Sequence, residues 1–174
     1  MGILVSNAVG MSLAEYASQK IWKPYGMETD AVWMTDLGDR ERGGCCISMR
    51  LRDYARFGQF VLDGGKAAGR QIVPPDWTKE VTRVHISEGV PMSYGYGYFW
   101  WIRGSGAYDA LGIFGQSITT FPDDRLIVVQ NAAWPAAVDQ ESYAALNAFI
   151  EAVRKATHKQ TKNPSHSKTE NEKF

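Results

Sequence analysis

The sequence predicts an α+β fold: helices first, then a three-strand antiparallel sheet, then a C-terminal helix. Apolar residues recur at helical spacing in three separate segments before residue 82. From Tyr94 to Gln130 the pattern changes to aromatic, glycine-rich and β-branched runs divided by turn residues. Helical spacing then returns from Asp139.

Ser12-Leu-Ala-Glu15 is a capping-box start, with Ser12 at the N-cap. Leu13, Tyr16, Ala17 and Ile21 continue that helix, and Pro24 and Gly26 are expected to end it. Met27 to Ser48, rich in charge and glycine, is expected to be a long ordered loop. The second helix spans Leu51 to Leu62, with Leu51, Tyr54, Ala55, Val61 and Leu62 as its apolar face and Asp63-Gly64-Gly65 as its stop. Pro74-Pro75-Asp76 opens a short third helix carrying Trp77 and Val81.

Tyr94-Gly-Tyr-Gly-Tyr-Phe-Trp-Trp101 is expected to be the first strand. Its glycines leave backbone uncovered, which suits close approach of a ligand or of another chain segment. Ala110 to Ser117 places Gly112 and Gly115 at a strand edge or turn, and Pro122-Asp-Asp124 turns the chain into the apolar run Leu126 to Val129. Asp139 caps a last helix to about Ala156, with Tyr143, Leu146, Phe149, Ile150 and Val153 inward. Residues 1–156 thus form one domain and 157–174 a disordered polar tail, since no aliphatic residue follows Thr157. Three strands and one covering helix leave the other sheet face and an edge in need of partners, so self-association through the sheet is open.

Composition narrows the classes of function. Lys+Arg and Asp+Glu are both 19, and a net charge of zero argues against nucleic acid. No apolar run approaches the roughly 18 residues of a membrane span. Cys45 and Cys46 are adjacent, read as two thiols, and leave the compartment open between cytoplasm and periplasm. No cluster has metal-ligand spacing, and no cofactor is implied.

Candidate chemistry is sparse. His158 and His166 fall in the tail, so His85 is the histidine left for a triad, and its plain reading is a half-buried loop residue. A Cys-His pair of Cys45 or Cys46 with His85 lacks a local signature. Ser165-His-Ser-Lys168 matches Ser-x-x-Lys, but in the tail nothing fixes lysine against serine. Asp36, Asp39, Asp53 and Asp109 are not paired as in glycoside chemistry. Glu88, Asp123 and Asp124 read as solvated loop charges.

Ser12-Leu-Ala-Glu-Tyr-Ala, Ile21-Trp-Lys-Pro-Tyr-Gly-Met27, Gly43-Gly44, Arg52-Asp-Tyr-Ala-Arg-Phe-Gly58, Gly69-Arg-Gln-Ile-Val-Pro74, Tyr94-Gly-Tyr and Gly112-Ile-Phe-Gly-Gln116 occur in that order. Together they resemble the C-terminal part of a serine hydrolase of the beta-lactamase and penicillin-binding-protein-like family. The nearest likeness is to nylon-oligomer (aminohexanoate) hydrolases and related esterases, over Met1 to Ala156. The resemblance implies a partial beta-lactamase-like fold. It also implies acyl transfer, in which serine attacks an amide or ester, an acyl-enzyme forms, and water releases it.

Several site roles follow from the resemblance alone. Ala110-Leu-Gly112 stands where the family has its third motif, usually Lys-Thr-Gly. Gly112 would be the motif glycine and the Ile113 backbone N–H an oxyanion donor; alternatively Gly112 and Gly115 only form a tight strand junction. Cys45, Tyr96, Gly115 and Gln116 are the substrate-binding candidates, with the aromatic strand either a stacking wall or simply core. Arg52, Asp53 and Arg56 are expected to be a structural charge cluster on a helix surface. The family's Ser-x-x-Lys and Tyr-x-Asn are absent from the ordered part, so the chain reads as a fragment, inactive alone, with apolar surface exposed. The other reading is a degenerate, non-catalytic member that binds a ligand or a protein.

Overall fold

The computed structural model describes residues 1–90 and 94–162. Helix α1 (Gly2–Val9) buries none of its side chains. Helix α2 (Leu13–Ala17) starts on the expected capping box: Glu15 N–H donates to Ser12 Oγ at 3.1 Å and Ser12 N–H to Glu15 Oε2 at 3.2 Å. Pro24 does not stop the helical path. A π-turn over Ser18–Trp22 brings Lys23 N–H to Ser18 O, and the widened turn makes room for the proline ring inside α3 (Lys23–Tyr25). Gly26, at φ +75, ends it.

The expected long loop is instead a hairpin arm, in which β1 (Val32–Trp33) pairs antiparallel with β2 (Ile47–Ser48). Helix α4 spans Leu51–Leu62 as predicted, but with a different inner face. Asp53, Gly58 and Phe60 are buried and Leu51 is exposed, because the helix packs through its 53–57–60–61 stripe. After the small β3 (Lys66–Ala67) and β4 (Arg70–Gln71) hairpin comes α5 (Trp77–Val81).

The sheet has five strands in sequential antiparallel order: β5 (Gly95–Tyr96), β6 (Trp101–Ile102), β7 (Tyr108–Leu111), β8 (Ser117–Phe121) and β9 (Leu126–Gln130). The aromatic run expected to be one strand is itself a tight hairpin, pairing Tyr96 with Trp101 and Gly95 with Ile102. Its glycines explain the fold-back. A Cβ on Gly97 would sit 2.1 Å from the carbonyl oxygen of Val81, and one on Gly95 2.5 Å from Val84 Cγ2. Of the two partners open to these glycines, a chain segment is the one found: the stretch leaving α5.

Both sheet faces are covered, so the expected open face is not there. Helix α4 lies on one; Gly58 permits it, since a Cβ there would be 2.9 Å from Ile118 Cγ2. On the same face Val81, Trp100, Ile102 and Tyr108 form a cluster with Phe57 and Val61. Helix α6 (Gln140–Lys162) covers the other, packing Leu146 and Ile150 on Ala107 and Phe121. Asp139 caps it, accepting from Ser142 N–H at 2.9 Å. Phe149, expected inward, is exposed. The helix runs six residues past Ala156, so residues 157–162 of the expected tail are helical, and the rest of the tail lies outside the described residues. Among the described residues no strand pairs with the outer edge of β9, and no helix is long and apolar enough to cross a membrane.

Two aspartates depart from their expected settings. Asp53 is fully buried rather than on a helix surface, and accepts from the N–H groups of Glu28 at 2.7 Å and Thr29 at 3.3 Å and from Arg56 at 3.0 Å. Burial alone would raise its pKa, but these donors outweigh it and hold the carboxyl below its ordinary value. Asp124 is not a solvated charge: its side chain is 10% exposed and ion-paired with Arg154.

Candidate active site

A cavity of about 840 Å³ opens between the arm-to-α4 segment and the β7–β8 turn. Cys45, Gly112, Ile113 and Gln116 all line it. These residues are far apart in sequence, and the fold brings them together because α4 packs across β8 and carries the β2 end of the arm with it. Tyr54 on α4 fixes that connection, its hydroxyl donating to Ile47 O at 2.8 Å; burial raises its pKa.

Backbone bonds define the turn opposite. Gly112 N–H donates to Gln116 O at 2.8 Å, and Phe114 N–H donates to Ala137 O at 3.1 Å. Ile113 lies between these two engaged amides and is 65% exposed. Phe114 takes φ +65, a conformation uncommon for a bulky side chain, which turns the chain sharply just past Ile113. Trp134 N–H returns a bond to Phe114 O at 3.1 Å. Side chains lock the same turn from the β9 end: Gln116 Nε2 donates to Ala132 O at 3.0 Å and Gln130 Nε2 to Gly115 O at 2.9 Å.

The other two candidates are elsewhere. Gly115 does not line the cavity; it is buried at φ +93 with the Trp134 ring against it, so that a Cβ would be 2.3 Å from the indole. Gly115 is where the turn meets Trp134. Tyr96 also lies off the cavity, packed edge-on against Trp101 at 4.9 Å between ring centres.

Cys45 and Cys46 are joined by a disulfide, not present as two thiols. This removes the Cys-His pairing. His85 sits outside the cavity, its Nε2 2.9 Å from Glu80 O and its ring 4.4 Å from Tyr98. Among the described residues no group of three or more His, Cys, Asp or Glu could hold a metal.

Sequence reasoning missed Cys46, Tyr54, Phe114 and Ser117 as cavity residues. Ser117 is 5% exposed and its Oγ has no hydrogen-bond partner. Only Cys46 carried a signal, its adjacency to Cys45. The cavity wall therefore holds the 112–114 backbone turn, a buried hydroxyl and a disulfide.

A family model described as Beta-lactamase matches residues 1–149. The 6-aminohexanoate-dimer hydrolase of Paenarthrobacter ureafaciens is 28% identical over 142 residues, covering 76% of this chain and 36% of that protein. A solved structure of a putative 6-aminohexanoate-dimer hydrolase from Bacillus anthracis superposes with a TM-score of 0.79 at 29% identity, covering 92% of this chain and 42% of that one. A beta-lactamase structure from Mycobacterium bovis shares the fold, with a TM-score of 0.70 at 17% identity over 90% of this chain and 60% of that one. This chain thus spans less than half the length of these two hydrolases.

Proposed function

Because the chain belongs to the beta-lactamase family, we propose that it supplies the oxyanion side of a serine-hydrolase site that cleaves a small amide or ester through an acyl-enzyme. Residues 1–156 are read as the C-terminal part of that hydrolase domain. The observation that carries the reading is the turn at 112–114: its outer two amides are engaged in backbone bonds, and Ile113 between them faces the cavity. An N–H aimed at a developing oxyanion is worth about 3 kcal/mol, because it stabilises charge that exists only in the transition state.

Gly112 allows the substrate close to the strand, and Gln116 borders the same space. Ala110 and Leu111 occupy the positions where the family usually carries polar or charged groups. An apolar pair there has no donor for a substrate carboxylate, so the reading favours uncharged amides or esters at that end. The nucleophilic serine and its lysine are assigned to sequence other than these 174 residues.

The test is p-nitrophenyl ester hydrolysis. The purified chain is expected to give no turnover above buffer. Joined to a Ser-x-x-Lys- and tyrosine-bearing segment from an active family hydrolase, it is expected to turn over. In that fusion Ile113→Pro, which removes the amide hydrogen, is expected to lower kcat by about 10²–10³ while the melt shows the protein still folded. Turnover by the chain alone that survives replacement of both cysteines would defeat the reading.

A further inference from the structure

The cavity wall carries one chemical group that acyl transfer does not use. Cys45 and Cys46 form a disulfide between neighbouring residues, with Cα atoms 3.7 Å apart, and both residues are exposed at the cavity. Backbone on either side is anchored. Cys45 N–H donates to Arg42 O at 3.1 Å, and Met34 N–H to Cys46 O at 3.0 Å. The Trp33 indole N–H bridges Arg42 O and Cys45 O, each at 3.1 Å. These four bonds do not involve sulfur, so breaking the sulfur–sulfur bond does not itself remove any of them.

We propose that Cys45–Cys46 is a redox-gated dithiol site: closed as the disulfide, it opens on reduction into a paired thiol that captures monosubstituted trivalent arsenicals at the mouth of the cavity. The opening step is exchange with a dithiol reductant. Two electrons and two protons pass to Cys45 and Cys46 as the reductant closes to its own disulfide. Capture then exchanges the arsenical's oxygen for two sulfurs: two S–H bonds break, two As–S bonds form, one water leaves, and arsenic stays trivalent.

The geometry selects this ligand class over others. Zinc in a structural site needs four ligands, and no third His, Cys, Asp or Glu stands with the pair among the described residues. A monosubstituted arsenical needs only two sulfurs. Holding both on one anchored turn makes the second As–S bond intramolecular, which raises retention far above that of a single thiol. The site needs neither a serine nor an oxyanion, so its failure and that of the hydrolase reading are separate results.

The experiment uses phenylarsine oxide with the full chain. Protein purified without reductant is expected to take up no iodoacetamide when denatured, and two equivalents after dithiothreitol and desalting. The reduced, folded protein is expected to gain one phenylarsenic group by intact mass. That adduct should resist excess glutathione and come off with a competing dithiol. Cys45→Ser and Cys46→Ser, each verified as folded by circular dichroism, should lose retention against glutathione at least tenfold. Uptake of two iodoacetamides without reduction would overturn the proposal. So would equal retention by either serine variant, or loss of the folded state on reduction.

Discussion

The sheet with its two helical layers and the N-terminal segment with its hairpin arm are held in different ways. Around the sheet, Phe121, Ile102, Tyr108, Leu146 and Ile150 are each less than a tenth exposed. In the other region α1 buries nothing, and Met1, Ile3, Leu4, Val32, Met34 and Leu37 all stand open to solvent. What orders that region is polar: the capping box, Glu41 accepting from Leu13 and Ala14 N–H at the start of α2, and Asp53 reaching from α4 to the Glu28 and Thr29 amides. Apolar side chains in sequence therefore do not report where the core lies. The core forms where two faces meet, and α1 touches α2 and Gly43 without burying a side chain of its own.

The contrast can be broken by substitution, beginning with the core. Ile150→Ala removes a fully buried side chain between α6 and the sheet and is expected to cost about 3–4 kcal/mol in a denaturant melt. A loss near zero would mean that α6 is not a structural layer. Asp53→Ala strikes the joint between the regions. It leaves the Glu28 and Thr29 amides without their acceptor and Arg56 with Glu28 as its remaining partner, at about 3 kcal/mol, and amide exchange over residues 27–48 should rise ahead of that over the sheet.

The same joint has a pH signature. The Asp53 carboxyl is held below its ordinary pKa, so its stabilisation is present above that value and is lost as pH falls through the folded value. Asp109 is opposite in sign: burial, opposed by Arg103 at 2.7 Å, raises its pKa, so its contribution is present in acid and is lost as pH rises through the folded value. Asp53→Asn should therefore flatten the loss of stability below about pH 4, read from melts at stepped pH. An unchanged acid limb would remove Asp53 from that role.

Gly115→Ala comes next in size, at about 2 kcal/mol, since a Cβ meets the Trp134 ring at a positive φ. Its amide signals should move at Phe114 and Trp134 more than in α4. Leu37→Ser is the smallest, within about 0.5 kcal/mol, because Leu37 is wholly exposed at the arm. A larger loss would show that the arm is covered in solution.

Much of the element order was legible because it rests on local chemistry. Ser12 and Glu15, Asp139, the Leu51–Leu62 helix and the Pro122 turn were found where residue type and spacing put them. What misled were features set by contacts distant in sequence. The aromatic run alternates like one strand, yet Gly95 and Gly97 fold it back against the segment after α5. The inner face of α4 was misread because a charged residue, Asp53, lies on it; its burial depends on donors about 25 residues upstream. The proposed site divides likewise. Cys45, Gly112, Ile113 and Gln116 share a cavity, whereas Tyr96 and Gly115 are absorbed by aromatic packing.

By itself, the sequence determined the α+β class, the caps and the family, since each is written in residues close together along the chain. Only the tertiary structure decided that the sheet has five strands, that α4 covers its second face, and that two neighbouring cysteines are joined beside the 112–116 turn. The physical reason is common to all three. Close approach, burial of a charge and closure of a cavity depend on which surfaces meet, and that is a property of the packed chain rather than of any one segment.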